Sequence, residues 1–327
     1  MWKADREAVQ NLFWLFHEEI KGDSMYALET RNLSRKYGTK TAVDQVNIHM
    51  RSGTIYGLIG KNGAGKTSIM KMILGLIRKN SGEIFFCGKN MEQNRKQLLK
   101  RIGYLIEPSG FYPMLSAREN LEIYAKIRGV SRRDAIEKAL DAVGLSYQSP
   151  KKFSQFSLGM KQRLALGFAI MNDPEFIILD EPTNGLDPIG IAEIRHYIKM
   201  LGIDRKKTIL LSSHHLAEVE LIADDIGVLH EGKLLTEDSL QKIRKDSRKY
   251  IYVESDNSRL ASVLLEQNGI RNYASIGEYG LKIYEEESDS YQINKLLMES
   301  GIQVREIYTK SFNLEEYFKE VLKEEVL

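Results

Sequence analysis

The 327-residue chain is predicted to fold as an α/β domain with a helical insertion, followed by a small α+β domain. Between Tyr26 and about Asp238, short apolar runs alternate with segments of helical period, the pattern of a parallel sheet flanked by helices. From Glu107 to Phe168 the helical period dominates, which marks a helical subdomain inserted into the sheet. Beyond Ser239 the order becomes strand, helix, strand, strand, helix, strand and a final helix, as in a ferredoxin-like module.

Within the first domain, taken as residues 25–238, a strand at 53–59 leads into a Gly-rich loop and a helix at 66–76. Residues 103–106 form a short apolar strand that stops at Glu107, next to Pro108 and Gly110. Helices at 120–128 and 132–143 follow, separated by Gly129. A buried strand at 176–179, a helix at 189–201 and a strand at 208–212 complete the α/β pattern. In the second domain, residues 239–327, strands are expected at 250–254, 273–276, 281–285 and 303–308, with helices at 259–267, 291–300 and 314–322.

The first 24 residues carry a helix-compatible stripe of Val9, Leu12, Phe13, Leu15, Phe16 and Ile20, without the basic start and cleavage site of an export signal. Lys21-Gly22-Asp23 is compatible with codons that form a bacterial ribosome-binding site just before Met25. Residues 1–24 are therefore expected to be a start-site artefact; the alternative is an amphipathic helix lying on a partner or membrane surface.

Charged residues make up 28% of the chain with a net charge of +2, which shows no strongly basic nucleic-acid footprint. From Tyr250 onward there are 15 acidic and 8 basic side chains, a net −7 that leaves +9 on the preceding part. A basic body suits a polyanion such as a nucleotide, and equally an ordinary solvated surface. The single cysteine, Cys87, excludes an intrachain disulfide and points to a reducing compartment. No window approaches the run of about 20 apolar residues needed to span a bilayer, so a membrane role requires a partner.

Gly60-Lys61-Asn62-Gly63-Ala64-Gly65-Lys66-Thr67 matches a phosphate-binding loop and stands between a strand and a helix, as that chemistry requires. Gly60, Gly63 and Gly65 let the backbone bend round phosphates, and the helix N-terminus offers unpaired amides. Lys66 adds a point charge and Thr67 offers a hydroxyl to Mg²⁺; Asn62 and Ser68 complete the candidate nucleotide contacts. The loop alone says only that a nucleoside triphosphate binds. Phe176-Ile177-Ile178-Leu179-Asp180-Glu181 is an apolar strand that ends in two acids. Adjacent carboxylates repel, and downstream of a phosphate loop Mg²⁺ is the natural compensating charge. Asp180 would hold the metal and Glu181 would orient or deprotonate the attacking water.

Between these motifs, Phe156-Ser157-Leu158-Gly159-Met160-Lys161-Gln162-Arg163-Leu164 resembles the signature sequence of ATP-binding cassette (ABC) ATPases. Leu158 and Met160 depart from the usual L-S-G-G-Q, whereas Ser157 and Gly159, which touch the γ-phosphate in that family, are kept. Gly185-Leu186-Asp187 is similar to the family's D-loop, and Leu211-Ser212-Ser213-His214 to its switch histidine; Tyr37 stands where the family stacks an aromatic ring on adenine. The resemblance implies an ATPase using ATP and Mg²⁺, in which two copies sandwich two ATP molecules head to tail. Ser157 and Gly159 of one copy then meet the phosphate loop of the other, and Asp187, in the D-loop-like stretch, is counted among the nucleotide-binding residues. It also implies docking to an integral membrane permease at the cytoplasmic face of the membrane, with no nucleic-acid partner.

At the junction with the permease most members carry Gln, and this chain carries Glu107. The stretch Leu105-Ile106-Glu107 with Gly110-Phe111-Tyr112-Pro113, and the appended C-terminal module, resemble the bacitracin-resistance and lantibiotic-immunity exporters. Glu107 is accordingly a candidate metal and water ligand, together with catalytic Glu181 and His214. Phe111 and Tyr112 are either permease contacts or core of the helical subdomain. The expected function is the ATPase subunit of a peptide-antibiotic exporter. The alternatives are an ABC exporter of other drugs or lipids, and a soluble ABC ATPase that remodels ribosomes or DNA. A phosphate-loop kinase predicts neither the signature helix nor the switch histidine.

Overall fold

The computed structural model describes residues 26–106, 110–130, 132, 134–203, 206–246, 250–284, 289–310 and 313–324. Residues 1–24 and Glu107 lie outside the described residues, and so do the expectations placed on them. Two compact units are present, one running to Leu240 and including the segment from Phe318, the other spanning Gln241–Tyr317.

The first unit opens with β1 (Tyr26–Tyr37), β2 (Lys40–Val46) and β3 (His49–Arg51), followed by β4 (Ile55–Ile59) and α1 (Lys66–Ile73). Next come β5 (Ser81–Phe86), β6 (Lys89–Asn90), α2 (Arg95–Leu99) and β7 (Ile102–Leu105). The helical insertion contains α3 (Ala117–Arg128), α4 (Ala135–Ala142) and α5 (Leu158–Ile170). The chain then returns to the sheet through β8 (Phe176–Asp180), α6 (Pro188–Ile203), β9 (Thr208–Ser213), α7 (Leu216–Glu220), β10 (Asp225–His230) and β11 (Lys233–Ser239).

Six strands form a sheet in the order β11-β10-β4-β9-β8-β7. All neighbouring pairs are parallel except β10 with β11. Every residue of β4 and β9 is buried, as expected of central strands covered on both faces. The register pairs Ile59 with Ser213, Asp180 with Ser212 and Leu105 with Leu179. The C-terminal ends of β4, β9, β8 and β7 are therefore level, and the loops that follow them open on one edge, where ligands of such sheets bind.

A second, antiparallel sheet, β2-β1-β5-β6 with β3 also on β1, was not expected from the sequence. Its long strand β1 keeps no regular inside-outside alternation, because bulges interrupt the register near Leu33 and Arg35 and Asn32 has φ 48°. A shift of one residue moves side chains to the opposite face, so the period-2 signal cancels. One core joins both sheets: Leu28 and Met50 from the antiparallel sheet, Ile69 and Met70 of α1, and Phe176 and Ile178 of β8. Phe86 meets Phe176 edge to face at 5.3 Å.

The insertion has its own fastening. Ser116 caps α3 in a reciprocal capping box with Glu119. Fully buried Asn120 accepts from Tyr112 N at 2.7 Å and donates to Tyr112 O and Ser116 O at 3.2 and 2.9 Å. Phe111 packs against Phe153, Tyr124 and Phe168 at 5.2, 5.6 and 6.2 Å, so it belongs to the core of the subdomain, whereas Tyr112 is half exposed. In the second unit β12 (Tyr250–Ser255), α8 (Ser258–Gln267), β13 (Tyr273–Ile276), β14 (Gly280–Ile283), α9 (Ser290–Glu299) and β15 (Val304–Lys310) form an antiparallel sheet in the order β13-β14-β12-β15. Ile251, Val253, Leu281 and Ile283 of this sheet pack on Ala261, Leu265, Ile293 and Leu297 of its two helices.

The close approach of β7 to α5 depends on a missing side chain. A Cβ on Gly103 would run into the Ala169 carbonyl and would lie 2.7 Å from Pro174 Cγ. Gly103→Ala is expected to destabilise the protein by about 1–3 kcal/mol, read as a lower thermal unfolding temperature. An unchanged unfolding temperature would show that this packing can relax.

Candidate active site

Strand β4 ends inside the sheet, and the chain must turn within a few residues to start α1. Gly65, at the N-cap of α1, has φ 113°, and a Cβ there would lie 2.5 Å from the Ala42 carbonyl oxygen. Both constraints call for glycine. The first turn of α1 contains no acidic side chain, so its amides keep their pull on an anion. Lys66 is 5% exposed, and its ammonium donates to the carbonyls of Gly60 and Lys61 at 2.6 and 3.3 Å. These bonds aim the cation into the curl of the loop, where phosphate oxygens can take their place. Strand β2 pairs with the end of β1, Tyr37 opposite Lys40, and also supplies the Ala42 carbonyl next to Gly65. Tyr37 is thereby carried to the vicinity of the phosphate loop, with one face under the Arg35 guanidinium at 4.6 Å and the side chain 45% exposed.

Across β9, the end of β8 presents its two acids. Thr67 Oγ1 donates to Asp180 Oδ2 at 2.7 Å and Ser212 Oγ donates to Asp180 Oδ1 at 2.5 Å. Glu181 has φ 47°, and its N–H donates to Ser212 Oγ at 2.9 Å. Its Oε2 lies 2.8 Å from His214 Nδ1. Its Oε1 is buried without a hydrogen-bond partner, 3.2 Å from Lys66 Nζ. Paired in charge with Lys66 but not hydrogen-bonded, this oxygen can still accept from a water molecule. The neighbouring His215 instead donates its backbone N–H to Ser213 Oγ.

A cavity of about 490 Å³ opens beside these groups, lined by Thr67, Asp180 and Glu181 on one side and Leu158, Lys161 and Gln162 of α5 on the other. Leu105 and Phe111, which flank Glu107, also line it. Ser157 caps α5, accepting from Met160 N at 3.3 Å, and is exposed; Gly159 has open space where a Cβ would stand. Asp187 Oδ1 accepts from Gly190 N at 3.0 Å and so caps the start of α6. Lys66, Thr67, Asp180, Glu181 and His214 thus form one connected cluster. Ser157, Gly159 and Asp187 present themselves outward, and Tyr37 borders the loop. Ser212 was not singled out by its residue type, since a serine at the end of an apolar strand carries no distinctive pattern.

Residues 43–184 match the family described as ABC transporter. The bacitracin transport ATP-binding protein BcrA of Bacillus licheniformis is 44% identical over 296 residues, covering 90% of this chain and 97% of the relative. The chain belongs to the family of ABC transporter ATP-binding proteins. This ABC ATPase is also 45% identical over 210 residues to the lantibiotic transport ATP-binding protein SrtF of Streptococcus pyogenes, covering 64% of this chain and 90% of that one. A solved ATP-binding subunit of an ABC transporter superposes with a TM-score of 0.59 and 29% identity, covering 67% of this chain and 92% of its own. A dimeric ATP-binding cassette in a post-hydrolysis state with ADP and Pi bound superposes with a TM-score of 0.58 and 25% identity, covering 65% of this chain and 98% of its own. The chain therefore binds ATP and hydrolyses it.

Because Lys66 is the buried cation of the loop, Lys66→Ala is expected to weaken nucleotide binding by roughly 10-fold or more, the value of one charge-assisted hydrogen bond. Titration with a fluorescent ATP analogue measures this; affinity equal to that of the unsubstituted chain would remove Lys66 from the phosphate site.

Proposed function

We propose that this ABC ATPase powers the export of a peptide antibiotic of the bacitracin or lantibiotic type, acting through a separate integral membrane permease. The observation that carries this reading is the extent of the likeness to a bacitracin transport protein, which spans 90% of the chain and thus exceeds the cassette alone. No described helix is long and apolar enough to cross a membrane, so the work on the membrane falls to the partner. The chain acts peripherally, at the cytoplasmic face.

The site residues take the following roles. Lys66 and the amides at the start of α1 hold the β- and γ-phosphates, and Tyr37 offers its open ring face to the adenine. Asp180 and Thr67, 2.7 Å apart, are the pair that would hold Mg²⁺, which when bound neutralises phosphate charge in the transition state. Glu181 orients the attacking water and accepts its proton, with the open Oε1 facing Lys66 and Oε2 steadied by His214. His214 in turn can donate to a γ-phosphate oxygen. Ser157, Gly159 and Asp187 face outward because they serve the second copy in a head-to-tail pair. Binding two ATP molecules closes the pair and hydrolysis opens it, and this motion is passed to the permease. Glu107, which follows the cavity-lining Leu105 by two positions in the sequence, is assigned the coupling of the metal site to that motion.

Glu181→Gln is expected to retain ATP binding and to accumulate the ATP-bound pair, detected as a dimer by size-exclusion chromatography with light scattering. Dimer levels matching those of the unsubstituted chain, with turnover intact, would deny Glu181 its role. Glu107→Gln is expected to leave dimerisation in place while altering the Mg²⁺ dependence of ATP turnover. In cells, deletion of the gene is expected to lower the inhibitory concentration of bacitracin or a lantibiotic, with complementation by the wild-type gene but not by Lys66→Ala. Unchanged sensitivity to both compound classes would overturn the substrate assignment.

A further inference from the structure

The two acids at the end of β8 have to be held in a defined relation to each other and to the phosphate loop. Asp180 cannot be aimed by its own backbone alone, and Glu181 adopts a left-handed conformation, φ 47°, that a residue with a side chain disfavours unless its surroundings enforce it. The group that meets both requirements is one hydroxyl. Ser212 is fully buried, and it lies opposite Asp180 in the parallel ladder between β8 and β9. Its Oγ accepts the Glu181 N–H at 2.9 Å and donates its proton to Asp180 Oδ1 at 2.5 Å. The donor and the acceptor side of the hydroxyl are both used, and each partner belongs to a different acid.

We propose that Ser212 is the positioning residue that sets the relative orientation of Asp180 and Glu181 and ties both to the strand that carries His214. By engaging Oδ1, it leaves Oδ2, which accepts the Thr67 hydroxyl, as the oxygen that a cation would share with Thr67. By engaging the Glu181 amide, it supports the turn that directs the Glu181 carboxylate back towards Lys66 and His214. The end of β9 and the residue that follows it therefore grip Glu181 twice, at its backbone through Ser212 and at its carboxylate through His214. An apolar residue at position 212 would leave the Glu181 N–H without its acceptor and one Asp180 oxygen without its donor, both in a buried setting. The inference rests on the roles given above to Asp180 and Glu181.

The test uses the purified full chain. Ser212→Ala is expected to lower kcat for ATP by roughly 10- to 100-fold, the scale of small misplacements of catalytic groups, with KM changed by less than about twofold. Binding of a fluorescent ATP analogue without metal is expected to be unchanged, while the tightening produced by Mg²⁺ is lost. Ser212→Thr, which keeps the hydroxyl, restores both properties, and Ser212→Val, of the same shape, does not. Turnover and Mg²⁺ response equal to the unsubstituted chain in Ser212→Ala, or equal behaviour of the Thr and Val variants, would overturn the proposal. Glu181→Gln is measured alongside. Full turnover in that variant defeats the reading of the acids themselves, whereas an inactive Glu181→Gln beside an unaffected Ser212→Ala defeats only the role of Ser212.

Discussion

The active cluster depends on a level edge: β4, β9 and β8 end at the same height in a parallel sheet. Parallel register is what lets Thr67, the second residue of the helix after β4, reach Asp180 at the end of β8, which Ser212 of β9 engages from its other oxygen. A slip of one residue in any of the three strands would turn its terminal side chain to the other face of the sheet. The burial of β4 and β9 on both faces makes such a slip costly, since it would drive Ser212 or its neighbours into apolar surroundings without partners. Hydrophobic burial thus holds the polar groups in place even though it takes no part in the chemistry.

Electrostatics then decides what the edge can bind. One buried ammonium, Lys66, lies beside the Glu181 carboxylate, and its bonds to loop carbonyls are weaker than those it can make to phosphate. The two acids are kept apart in function by their surroundings. Asp180 has both oxygens engaged by hydroxyls, whereas Glu181 has one oxygen against His214 and one without a hydrogen bond. Carboxylates at adjacent positions therefore have different surroundings, in keeping with the different tasks proposed for them.

The helical insertion works on a different principle. Its aromatic core of Phe111, Tyr124, Phe153 and Phe168 is anchored to the sheet through Tyr104 of β7, which meets Phe168, and it presents Ser157 and Gly159 near the start of α5. A helix start that points to solvent, capped by the exposed Ser157, is accessible to a second copy, which agrees with a site shared between two. Phe111, a candidate for contact with a partner from its place near Glu107, is instead spent on this core.

The linear order of residues was enough to nominate a phosphate loop, paired acids, a signature and a switch histidine as candidates, because each is a short local pattern of contiguous residues. The parallel sheet and the βαββαβ order of the second unit were legible for a similar reason, since periodicity is local. The antiparallel sheet built on β1 was not, because bulges and a left-handed Asn32 scramble its alternation. Nor was Ser212, whose significance arises only when β9 is laid beside β8 and a hydroxyl meets two acids 31 and 32 positions earlier in the chain. Sequence determined which chemical groups this ABC ATPase has, and tertiary structure decided which of them touch, because hydrogen bonds between strands depend on register, a property that no single segment contains.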